Sequence, residues 1–215
     1  MKIKPAKAKT TKTKTTKTKK TSSSVVGANA PIRAFKDAKE WGSWLSKNER
    51  AADGIWIRIA KKGSGTRSVT HPEAVEVALC YGWIDSQMRP ESATAWLQRF
   101  TPRRAKSIWS KINRERAVAL IGDGRMRPAG LEEIERAKLD GRWEAAYDSS
   151  RTATVPADFA AELDLHPRAK AFFTTISAAN RYAILWRLQT AKKPETRAKR
   201  IRTFIEMLEK GETIH

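Results

Sequence analysis

The sequence predicts an α+β fold: a small, mostly antiparallel sheet with packed helices, followed by an all-helical C-terminal domain. Three observations carry that prediction. Residues 55–60 alternate with period two, "WIDSQM" and "TAWLQRF" do the same on either side of "RPES", and every apolar pattern after Pro156 has helical spacing. Strands followed by a run of helices divide the chain into an α+β domain over 29–141, a connector over 142–155 and a helical domain over 156–215. Residues 1–28 stand apart as a Lys/Thr-rich tail. Its central stretch "KTTKTKTTKTKKTSSS" has no large apolar residue and no acid, so burial cannot offset ordering entropy and disorder is expected.

The elements follow in order. Phe35, Ala38, Trp41, Trp44 and Leu45 recur at helical spacing, predicting a helix over about 36–47. In "DGIWIRIAKK", Ile55, Ile57 and Ile59 alternate against Trp56, Arg58 and Ala60, a strand that ends in the loop "GSGTRSV". "THPEAVEVALCYG" is marked as a helix at both ends. Thr70 and Glu73 have capping-box spacing, Pro72 suits the first turn and Gly82 the stop. A hairpin comes next. "TPRRAKSIWSKINRERAVAL" then reads as one long helix starting at Thr101 and Pro102, with Ala105, Ile108, Trp109 and Ile112 on one face. Another helix runs from near Pro128 to Gly141.

In the last domain, helices are expected over about 157–163, from Pro167 through Phe172, Phe173 and Ile176, and around Tyr182, Leu185 and Trp186. The final helix opens at Pro194. Its stripe of Ile201, Phe204, Ile205 and Leu208 is expected to pack on Tyr182, Leu185 and Trp186.

Charge narrows the partner class. The formal net charge is +20, and nine Lys without a single acid fall in residues 1–24: Lys2, Lys4, Lys7, Lys9, Lys12, Lys14, Lys17, Lys19 and Lys20. The remainder of the chain keeps +11. Such a tail is expected to bind nucleic acid or another polyanion, anionic membrane included, without sequence specificity. The one cysteine, Cys80, cannot form an internal disulfide. No apolar segment of a secretory signal follows the basic start, and no stretch nears the ~20 apolar residues of a membrane span. A cytoplasmic, nucleoid-associated protein is the expectation.

Seven phrases add a resemblance. "ADGIWI", "EAVEVALCYGWIDS", "FTPRRAKSIWSKIN", "GRMRPAGLEEI", "AKLDGRWEAAYD", "VPADF" and "RYAILWRLQTAKKPETRAKRI" resemble, in order and over about residues 33–210, the YdeI/OmpD-associated or bacteriocin-protection family. The resemblance implies a link to envelope stress or antimicrobial-peptide resistance and association with a porin, and it brings no catalytic residues. The missing export signal argues against direct porin association.

No complete catalytic motif, cofactor fingerprint or metal-ligand pattern is present. The three His (71, 166 and 215) are scattered and only one Cys exists. A non-enzymatic binding protein is therefore expected. The alternative is an enzyme or receptor for a small anionic molecule, held between the sheet and the helix starting at Pro102.

That alternative rests on cations. Arg103 and Arg104 would sit in the first turn of the helix, where the macrodipole disfavours cations and a bound anion would reverse the cost. Side chains turned to solvent, or paired with acids, would remove the cost equally well. Lys61, Lys62 and Arg67 on the glycine-rich loop would complete the anion site, although the loop lacks phosphate-loop spacing and Gly63 and Gly65 suit a plain turn. Trp83 and Asp85 share one strand face and are pocket candidates, with Asp85 holding a nearby Arg or Lys; a strand with one wet side explains them too. Cys80 reads as core, since His71 lies roughly 13 Å away along one helix.

Overall fold

The computed structural model describes residues 30–215, so the tail read over 1–28 and its nine Lys lie outside the described residues. The elements are β1 (Ile32–Ala34), α1 (Ala38–Asn48), β2 (Ile55–Ala60), α2 (His71–Cys80), β3 (Trp83–Pro90), β4 (Ala95–Pro102), α3 (Lys111–Gly122), α4 (Pro128–Leu139), α5 (Ala157–Leu165), α6 (Pro167–Thr175), α7 (Ala178–Gln189) and α8 (Pro194–Glu209). The fold is α+β, with the strands gathered in the first half and α5–α8 forming the second.

The sheet has the order β1-β2-β4-β3. β2 and β3 both pair antiparallel with β4, and β1 adds a parallel edge on β2. Three residues are too few to show a period, which is why β1 has no sequence signature. α2 forms as its ends dictate: the Thr70 hydroxyl accepts from the Glu73 N–H and the Glu73 carboxylate accepts from the Thr70 N–H at 2.9 Å.

Alternation along β2 turns Ile55, Ile57 and Ile59 toward α1 and α2. There they join Trp41, Leu45, Ala74, Val75, Ala78 and Leu79 in one buried cluster. α2 and α4 approach closely through Gly130. A Cβ there would lie 2.5 Å from the Cys80 carbonyl oxygen and 2.7 Å from that of Leu79.

The long helix expected from Thr101 and Pro102 does not begin there. β4 runs through Pro102, with Ile84 opposite Thr101 and Trp83 opposite Pro102. The link 103–110 follows, and α3 starts at Lys111, where the Ser110 hydroxyl accepts from the Asn113 N–H. Strand pairing, a non-local interaction, overrides the local proline signal, and the proline sits at the strand's end where its missing N–H is tolerated. The expected face dissolves with it: Trp109 is buried in the link, whereas Ile112 is 39% exposed.

The second half has its own apolar cluster, including Phe159, Phe173, Ile184, Leu188 and the α8 stripe Ile201, Phe204, Ile205 and Leu208. Leu185 packs into it as expected. Tyr182 and Trp186 face the connector instead, the Tyr182 hydroxyl donating to the Asp148 carbonyl at 2.9 Å and Trp186 standing edge-on to Tyr147 at 6.1 Å. The connector also feeds the first core, where Trp143 and Ala146 are buried. Among the described residues no helix is long and apolar enough to cross a membrane.

Candidate functional site

The link between β4 and α3 buries a cation. Arg103 is 6% exposed, its backbone N–H tied to the Gly82 carbonyl at 2.9 Å and its guanidinium carbon 3.5 Å from the centroid of Trp109. Nη1 donates to the Ile108 carbonyl at 3.4 Å. Burial drives its pKa down to about 10, against the opposing pull of Glu133, Tyr147 and Asp85, so the group remains a cation at neutral pH. Nε and Nη2 of Arg103, and Nε1 of Trp109, have no hydrogen-bond partner among the described residues. Buried donors left this way cost free energy that only the stacked indole offsets in part.

A second buried cation meets the first from the connector. Arg142 is 5% exposed. Its Nε donates to both Asp140 carboxylate oxygens, at 2.8 and 2.7 Å, and Nη1 donates to the Ser107 carbonyl at 2.6 Å. The next residue, Trp143, stands edge-on to Trp109 at 4.9 Å. Tyr147 closes the layer: its N–H donates to the Trp109 carbonyl at 3.0 Å, and its own carbonyl accepts from the Lys111 N–H at 2.9 Å. Burial, reinforced by the negative charge of Asp85, pushes the Tyr147 phenol above its ordinary pKa.

Asp85 does hold a base, although not the Arg or Lys expected. Its Oδ2 lies 3.1 Å from His71 Nε2, at the point where β3 bulges between Asp85 and Met88. His71 is placed there by the Thr70 cap, with its ring 5.6 Å from that of Trp96. A His–carboxylate pair fixes an imidazole tautomer, but no nucleophilic side chain hydrogen-bonds to His71 among the described residues. Trp83 is no pocket wall. It is 1% exposed, donates Nε1–H to the Glu49 carbonyl at 3.1 Å and sits in the core beside Trp41 and Trp44.

The five cations proposed for one anion site do not converge. Lys61 pairs its backbone N–H with the Thr94 carbonyl at the start of β4, whereas Arg103 follows its end. Eight residues of strand separate them by roughly 25 Å at ~3.3 Å each. The Lys61 ammonium donates to the Ser92 carbonyl, Arg67 pairs with Asp37 at 3.5 Å, and Lys62 is exposed. Gly63 and Gly65 adopt positive φ in an open turn that borders only a shallow hollow. Arg104 turns outward while Arg103 turns in, so the helix-start argument fails for both. Cys80 is buried, and burial pushes its thiol above the ordinary range, as a core residue's should be.

Sequence reasoning passed over Arg142, Tyr147 and the role of His71. One signal was available. "GRWEAAYD" puts an arginine and two aromatic residues in a stretch taken for a connector, and solvated linkers do not need aromatic residues. Among the described residues no group of three or more His, Cys, Asp or Glu could hold a metal ion.

Comparison with known proteins divides the chain in the same way. Residues 33–133 match a domain of unknown function (DUF8412), and residues 152–211 match the family described as Bacteriocin-protection, YdeI or OmpD-Associated. No curated protein and no solved structure matches the chain. The intervening residues 134–151 carry Arg142 and Tyr147. The likeness to the YdeI/OmpD-associated family is thus carried by residues 152–211, which make up most of the α5–α8 half.

Proposed function

We propose that this is a non-enzymatic binding protein that attaches to DNA, RNA or another polyanion through residues 1–24 and so holds its YdeI/OmpD-associated part against that polymer. The observation that supports this reading is the segregation of charge. Nine Lys and no acid fall in those 24 residues. In the folded part many cations already meet carboxylates, Arg58 with Glu91, Arg125 with Glu76 and Arg197 with Asp158 among them.

Attraction of this kind is set by counterion release, not by base sequence. A cytoplasmic protein at the nucleoid is the matching location. The bacteriocin protection named in the description of the family matched by residues 152–211 supports a setting in antimicrobial-peptide resistance.

The test is binding to duplex DNA as salt rises from 50 to 200 mM. Nine engaged lysines give log K a slope of about −8 against log salt. Deleting residues 1–24 should abolish most of that slope. An unchanged slope after deletion overturns the tail's role, and preferential capture by anionic liposomes in competition with duplex DNA would move the target to a membrane.

A further inference from the structure

We propose that the cleft at the seam between the two halves binds a small organic anion with one negative charge, a monocarboxylate with an apolar body. The cleft encloses about 320 Å³ and takes its walls from both halves: Ile108, Asp140, Arg142 and Tyr147 on one side, Gln189 and Lys192 on the other. That volume lies at the small end of the ~300–1,000 Å³ typical of small-molecule sites.

The polar groups of these walls are mainly donors. Arg142 has Nη2 buried and unpartnered among the described residues, while Nε and Nη1 are committed to Asp140 and Ser107. The Gln189 carbonyl oxygen is taken by the Asp148 N–H at 2.9 Å, which leaves its amide NH₂ to donate. Tyr147 is kept neutral by burial, so its phenol retains an O–H that can donate. Lys192 has no hydrogen bond or ion pair among the described residues. The one carboxylate, Asp140, accepts from the Nε–H and backbone N–H of Arg142 and is held below the usual carboxylate range by those bonds, with a smaller contribution from Lys192.

Two cations and one carboxylate leave a single positive charge for the ligand to neutralise. A polyphosphate would bring uncompensated charge against Asp140. Ile108, Ala145 and Ala191 offer apolar wall for the ligand's body. Because opposite walls belong to different halves, an occupant would also brace the seam.

The probes are benzoate, its neutral isostere benzamide and the dianion phenyl phosphate, titrated into the full chain. Two-dimensional NMR and thermal melts provide the readout. Benzoate should raise the melting temperature and shift amides of residues 140–147 and 189–192 together. Benzamide should bind at least tenfold more weakly, and phenyl phosphate no more tightly than benzoate. Lys192→Met should weaken benzoate at least fivefold without changing the unliganded melting temperature, whereas Lys210→Met, exposed at the end of α8, should leave binding intact. Equal responses to benzoate and benzamide, shifts outside the seam, or equal effects of the two lysine variants would overturn the proposal.

Discussion

The two halves of the molecule bury different chemistry. Every buried side chain of the α5–α8 half is apolar, whereas the α+β half and its connector bury Gln98, Arg99, Arg103 and Arg142 alongside their apolar residues. Ion pairs of the helical half lie at its periphery. Arg197 meets both Asp158 oxygens at 2.6 and 2.8 Å with each partner partly in solvent. Burial of apolar surface alone is sufficient to hold four helices together. Burying a guanidinium costs desolvation that apolar packing would avoid, so the first half gives up stability at the layer where the connector and the seam meet.

Substitutions can break or sharpen that contrast. The largest effect should come from Phe159→Ala, which empties a fully buried site edge-on to Phe173 and should cost about 3–5 kcal/mol in urea unfolding. Gly130→Ala should follow at about 1–3 kcal/mol, because its Cβ would strike backbone oxygens of α2, which cannot rotate away. An unchanged melting temperature would show that α2 and α4 are less tightly apposed than described.

Arg103→Met keeps the packing on Trp109 and removes the desolvated charge, so stability should hold or rise by about 1 kcal/mol. Arg197→Met should instead lose about 1 kcal/mol, since it gives up the Asp158 pair and a bond to the Leu188 carbonyl. Equal losses in the two variants would erase the contrast between the halves.

The smallest effect concerns alkaline pH. Tyr147 has its folded-state pKa raised by burial and by Asp85, so its stabilising contribution is complete below the unfolded value near ~10 and is lost as pH rises through the folded one. Stability should therefore fall above about pH 10, and Tyr147→Phe should flatten that decline. A slope that the variant leaves untouched would place the phenol in water.

Much of the fold was legible because its signals are local. The Thr70–Glu73 box, the alternation of Ile55, Ile57 and Ile59, and the Ile201–Leu208 stripe each act within one or two turns or one strand. The errors fell where distant pairing decides. Trp83 opposite Pro102 turned an expected helix start into the end of a strand, and Asp148 drew Tyr182 out of the core it was expected to join. The candidate site was legible only in part. Asp85 was singled out by its place on β3, but Arg142 and Lys192 are fifty residues apart, and only folding puts them on one cleft.

The scatter of indoles has a practical consequence. Of the eight tryptophans, Trp186 alone belongs to α5–α8, and it lies against Tyr147 at the seam. The emission removed by Trp186→Phe isolates that one fluorophore, a label-free gauge of whether the halves stay docked.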